Sequence, residues 1–259
     1  MELWHIPLVL IIGTIAGFFN TWAGGGSILT LPLLIFLGLP PSMANGTNRV
    51  GVLAQTGKAI WLFKKNKVHV FKLALILSLP ASLGALIGAY FAIDINETIF
   101  NRILAVVIVF FALDFFRKKP NQDIENKLQS KKQTVDKIFN NKKTLTSLIG
   151  LFFLIGIYGG FIQVGIGFVI IFCLRQFTDF DLVHINAIKV TVAFIYTLFA
   201  LTTFIIAGKV DWVLGPILAL GTITGVYLGV KIGLQKGEKW IRGVIVFAAL
   251  GMAVKLIFV

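Results

Sequence analysis

The chain has 259 residues, is 57% hydrophobic, and carries a mean hydropathy of +0.91 and a formal net charge of +13. Its apolar runs reach the roughly 20 residues a helix needs to cross a bilayer, which excludes a soluble globular domain and points to a polytopic membrane protein. The lone Cys173 excludes an intramolecular disulfide or a thiolate metal cluster, and most of the Lys and Arg fall in loops, so the positive excess reads as positive-inside topology and not as nucleic-acid binding.

The opening Met1-Glu2-Leu3-Trp4-His5 lacks the positive region of a cleavable signal. Residues 5–22 are apolar and long enough for one helix. Ala23-Gly24-Gly25-Gly26-Ser27 then breaks the run, and residues 27–38 are apolar but too short to span at about 1.5 Å per residue. Together they predict a glycine-broken helical hairpin. Leu39-Pro40-Pro41-Ser42 punctuates the chain, with Ser42 as the expected N-cap of a helix over 43–63. A basic loop holding Lys64, Lys65, Lys67 and Lys72 follows. Residues 70–92 form the next span, kinked at Pro80, and 98–116 another, after the acidic Asp94-Ile95-Asn96-Glu97.

Residues 118–143 are the long polar segment, rich in Lys. They predict a cytoplasmic linker between a first repeat, 1–117, and a second, 144–259, with anionic lipid as its partner. The second half repeats the plan: an apolar run over 144–162, a break at Gln163-Val164-Gly165-Ile166-Gly167, a short apolar run over 168–177, then spans at 182–207, 212–232 and 239–258. The two breaks lie 141 residues apart, and Gly84 and Gly88 recur at the same offset as Gly225 and Gly229. Small residues at such spacing let helices pack closely.

Charge sets the expected topology. The basic loops at 64–72, 117–143 and 231–242 go inside and the acidic loop at 94–97 outside, which places the N-terminus outside. An even number of crossings between inside loops requires each broken segment to enter and leave on one side. Three further crossings per half then invert the halves. The expected fold is all-α and integral to the membrane: a polytopic bundle of two inverted repeats, each a glycine-broken hairpin plus three transmembrane helices. Secondary transporters use this architecture, with the site near the midplane between repeats.

Arg49 lies about two turns into its span, and Lys189 has the matching place in the second half. Cations at that depth face a cavity or a partner, and no acidic residue stands at similar depth in the sequence. Two cations beside two breaks point to an anion site. The half-helices beginning near Ser27 and Phe168 add backbone N–H groups and positive dipole ends, and Gly24, Gly25, Gly26, Gly165 and Gly167 let backbone close around a small oxyanion. Asn45, Thr47, Asn48, Gln55, Gln163, Asn186 and Thr191 are candidates for the hydrogen-bonding shell, and Trp22 for a cavity wall. The competing structural reading is a cation that snorkels to the interface, glycines that serve only packing, and Asn and Thr as interhelical glue. Lys58, near the cytoplasmic end of its helix, fits snorkelling best. Trp4, Trp61, Trp212 and Trp240 read as interface anchors, and His5, His69 and His184 have no metal-ligand spacing. Enzyme and ATP-binding motifs are absent from the sequence, and no cofactor is implied.

Gly17-Phe18-Phe19, Ala23-Gly24-Gly25-Gly26-Ser27, Leu31-Pro32-Leu33-Leu34 and Ala44-Asn45-Gly46-Thr47-Asn48-Arg49 together resemble the first signature of the TauE/SafE family, the sulfite-exporter-like permeases. The stretch from Gly160 to Gly167 and from Asn186 to Lys189 is similar to the second signature. It departs from it in Gly-Ile-Gly and in Ile171-Phe172-Cys173-Leu174, and Lys189 stands where an Arg would supply a bidentate fork. The resemblance implies a prokaryotic inner-membrane permease for small sulfur-containing anions: sulfite, sulfoacetate, other organosulfonates or thiosulfate. A coupling ion, proton or sodium, and homo-oligomerisation are left open. The alternatives are an anion channel on the same scaffold, or a non-transporting assembly or signalling component that docks through the basic linker.

Overall fold

The computed structural model describes residues 4–22, 24–66, 68, 71–117, 138, 141–178, 180 and 182–233. The expected last span at 239–258, nearly all of the linker, His69, Trp240 and the side chain of Trp22 lie outside the described residues. Among those described the fold is all-α: α1 (His5–Trp22), α2 (Ser27–Phe36), α3 (Pro41–Lys65), α4 (Phe71–Ile93), α5 (Glu97–Arg117), α6 (Lys142–Phe161), α7 (Ile166–Phe177), α8 (Leu182–Ile206) and α9 (Leu214–Gly233). Three of these are long and apolar enough to cross a membrane: 71–93, 142–161 and 183–206.

Both breaks fall where the glycines stand. α1 stops at Trp22 and α2 starts at Ser27, with Gly24 at φ +81°; α6 stops at Phe161 and α7 starts at Ile166, capped by Gly165 at φ +69°. Gly38, at φ +93°, ends α2: its own amide bonds Ile35 O, and the Leu39 amide reaches back to Leu34 O, 3.2 Å away. One expectation fails. α3 begins at Pro41 and not after Ser42, with Pro40 at the cap position and no side-chain cap bond. Proline at the first helical position needs no N–H partner and is preset in φ, so the Pro-Pro pair starts the helix without a hydroxyl. Pro80 lies inside α4, which continues through it.

The packing pattern is that of a lipid-facing protein. α4 buries Ala74, Ala81, Ala85 and Ala89 and exposes Leu75, Leu79, Leu83, Tyr90 and Phe91. Large apolar side chains outside and small ones inside suit a hydrocarbon surround, where close backbone approach replaces the hydrophobic drive. α3 is the reverse: it is the polar helix, and it buries Asn45, Thr47, Asn48, Arg49, Gln55 and Thr56.

Glycine contacts fix helix directions. α1 and α9 run parallel: Gly221 packs on Leu10, Gly225 on Thr14 and Gly229 on Phe18. α4 and α6 do the same: Gly156 packs on Ala81, Gly160 on Ala85 and Gly88 on Ile157. α3 and α9 are parallel, through Val50 with Gly215 and a bond from the Thr222 hydroxyl to Gly51 O at 3.1 Å. α3 and α8 are antiparallel, since Gly46 meets Phe204 and Lys209 while Gly57 meets Phe194. Each broken helix therefore packs on a helix from the other half of the chain.

Candidate functional site

The two breaks touch. A Cβ built on Gly24 would stand 2.5 Å from Gly167 Cα, and one on Gly167 would stand 2.4 Å from Gly24 Cα. Only glycine fits on either side of that crossing, and Gly24 also holds a positive φ. Beside the crossing lies a cavity of about 20 Å³, room for about one or two waters. Its polar lining is Asn20, Ser27, Thr56, Gln163, Lys189 and Tyr196, with Gly24 and Gly167 at the crossing; Val52, Ile166, Ile170, Val190 and Ala193 complete the wall. No carboxylate is among these residues.

Lys189, Ala193 and Tyr196 reach the cavity at the i, i+4, i+7 spacing of one face of α8. Lys189 is 3% exposed, and its ammonium donates to Asn20 O at 3.1 Å. That carbonyl belongs to the last turn of α1, where carbonyls lack intrahelical partners and carry the negative end of the dipole. Gln163 sits at φ +60°, unusual for a non-glycine. Its amide nitrogen donates to Thr197 Oγ1 at 2.9 Å, and its Oε1 is buried without a partner.

Arg49 is equally buried but does not line this cavity. Its Nη1 donates to Gly159 O at 3.1 Å, and its Nη2 to Gly160 O and to Asn45 Oδ1. Asn45 Nδ2 donates in turn to Phe161 O at 2.7 Å. Three successive carbonyls at the end of α6 are thus capped by α3. The Phe204 ring lies 4.8 Å from the guanidinium carbon. The two cations take equivalent posts, each at the C-terminal end of the other half's broken helix, but only Lys189 also faces the cavity.

The remaining candidates divide in the same way. Gly24, Ser27, Gln163, Gly167 and Lys189 meet at the cavity. Asn48 ties α3 to α2: its Nδ2 donates to Ser27 Oγ at 3.2 Å, and its Oδ1 accepts from the Thr30 hydroxyl at 2.6 Å. Thr47 Oγ1 accepts from the Asp211 amide, and the Thr191 hydroxyl bonds Ala187 O within its own helix. Gly25 packs under the Phe168 ring and Gly26 against Ala16 O. Asn186 and Gln55 are buried away from this cavity; neither amide atom of Asn186 has a partner, nor does Gln55 Oε1. Lys58 lies 4.2 Å from the Trp61 ring centroid. Asn20, Thr56 and Tyr196 were not singled out in the sequence. Their signal was there: an Asn in an apolar run just before the break, and polar residues two turns beyond Arg49 on α3 and two turns beyond Lys189 on α8.

The chain matches the family model described as Sulfite exporter TauE/SafE over residues 9–256. The chain belongs to the TauE/SafE family. It is 26% identical to a protein of Haemophilus influenzae named "Probable membrane transporter protein", over 98% of this chain and 94% of that one. A Sinorhizobium protein named "Probable membrane transporter protein ORF9" is 27% identical over 97% and 92% of the two chains. The Escherichia coli K12 protein named "Probable membrane transporter protein YfcA" is 24% identical over 98% and 90%. No solved structure matches the chain. Family membership and the outward apolar faces make this TauE/SafE chain a multi-pass membrane protein of a transporter family.

Proposed function

We propose that this chain carries a small sulfur-containing anion, such as sulfite, sulfoacetate or another organosulfonate, or thiosulfate, across the prokaryotic inner membrane. The observation that carries the proposal is the buried Lys189 ammonium on a cavity with no carboxylate among the described residues that line it. A buried charge costs several kcal/mol unless it is paired, and one carbonyl does not neutralise it. An anion does. Ser27 at the start of α2 and Ile166 with Gly167 at the start of α7 add the positive ends of two half-helices. The Tyr196 hydroxyl, which accepts from the Gln163 amide at 3.4 Å, donates to the anion.

Alternating access between inverted repeats, 1–117 and 144–259, is the mechanism this arrangement favours. Support comes from α3 and α8, which correspond in the duplication and run antiparallel. The names of the three relatives agree with transport. Basic Lys64, Lys65, Lys142 and Lys143 gather at helix ends that share one side, which accords with a cytoplasmic linker and an external N-terminus. The test is the melting temperature of detergent-purified protein against sulfite, sulfoacetate, taurine, thiosulfate, sulfate, acetate and chloride. A ligand of the folded state adds about 2.7 kcal/mol at a hundredfold excess over its Kd. One sulfur oxyanion should raise the melting temperature, and Lys189→Ala should remove the shift while the protein stays folded. A shift that survives Lys189→Ala sinks the site.

A further inference from the structure

We propose that the two buried cations divide the work: the anion touches Lys189, and Arg49 is a positioning residue that holds the broken end of α6, and through it Gln163, against the cavity. The geometry carries this. The guanidinium is fully enclosed, and both its terminal nitrogens are committed, to two carbonyls of α6 and to the Asn45 carbonyl oxygen, which leaves Nε without a partner. It does not line the cavity, whereas Lys189 does. A planar fork suits this task, because it presents two nitrogens to the adjacent Gly159 and Gly160 carbonyls in a fixed geometry, where an ammonium is a point charge on a flexible stem.

What the clamp holds is a strained turn. Gly160 is three residues from Gln163, whose φ of +60° is kept only if its surroundings over-determine it. The Ile162 amide returns to Tyr158 O at 3.0 Å, and the Val164 amide to Ile162 O at 2.8 Å. The Tyr158 hydroxyl closes onto Val164 O. Arg49 and Asn45 fix the last three carbonyls of the helix from which that turn departs. Free the helix end and the turn relaxes, and Gln163 leaves its bond to Thr197 on α8.

This inference takes the identity of the ligand from the proposal above, but its test separates the two. Sulfite uptake into liposomes and amide exchange over residues 159–165 would be measured for Arg49→Lys, Gln163→Ala, the double variant and Lys189→Ala. Arg49→Lys keeps the charge, so it serves where Arg49→Ala fails to fold. Exchange over 159–165 should rise at least tenfold in Arg49→Lys and stay unchanged in Lys189→Ala. Arg49→Lys and Gln163→Ala should each raise the half-saturating sulfite concentration by roughly tenfold, and the double variant by little more than either, because residues acting through one another are not additive. Effects that multiply to about a hundredfold, or unchanged exchange in Arg49→Lys, overturn the positioning role. If sulfite neither binds nor crosses in the parent protein, the transport proposal and the link to uptake fall together, and exchange alone decides whether Arg49 clamps α6.

Discussion

Asn186 is buried with neither atom of its amide paired, in the first turns of the helix that carries Lys189. An unpaired buried polar group costs about 1–3 kcal/mol. Its counterpart in the first half, Asn45, spends both ends of its amide on Phe161 and Arg49. Asn186→Leu should therefore leave thermal stability unchanged or raise it, since an apolar side chain of similar size removes the unpaired groups. If the amide finds its partner in another state of the transport cycle, the same substitution should lower sulfite uptake by roughly tenfold; a marked drop in melting temperature would show instead that Asn186 is bonded in the resting protein. The sequence made the two cations visible, and it placed both beside glycine breaks. It could not show what they face. The carbonyls that hold Arg49 lie some 110 residues along the chain, and backbone carbonyls leave no trace in residue identity.

At the scale of elements, two helix pairs hold the breaks in place: α1 with α9, and α4 with α6. Both are built on glycine against backbone. A Cβ on Gly156 would lie 2.1 Å from Ala81 O, and one on Gly225 would lie 2.0 Å from Thr14 O. Overpacking such contacts costs about 1–3 kcal/mol, and more when the neighbour is backbone that cannot yield. Gly156→Leu should lower the melting temperature steeply or prevent recovery of folded protein, because it drives α6 off α4. Gly150→Leu, on the same helix with nothing within 4 Å, is the control and should leave size-exclusion profiles intact. Equal behaviour of the two variants would mean that α6 is not seated on α4. The recurrence of Gly84 and Gly88 as Gly225 and Gly229 was legible as a packing motif. Its partners were not, since hydropathy says only that a helix is buried, not by which neighbour.

For the whole molecule, these pairs join the halves to each other more than they join each half to itself. α1 belongs to the first half and packs on α9 of the second; α6 belongs to the second and packs on α4 of the first. Lys189 of the second half bonds the end of α1, and Arg49 of the first bonds the end of α6. Either half alone would leave its glycine-lined faces and a buried cation without partners. In hydrocarbon, unsatisfied backbone and bare charge are costly. Cutting the chain within the basic segment, into 1–130 and 131–259, should thus give two fragments that are each degraded when expressed alone. Expressed together, they should copurify and recover sulfite-dependent stabilisation, because every interface named above forms without a continuous chain. Recovery of one fragment as a stable monodisperse protein would show that the halves fold as separate domains, and that the crossing of Gly24 with Gly167 is a docking contact made afterwards.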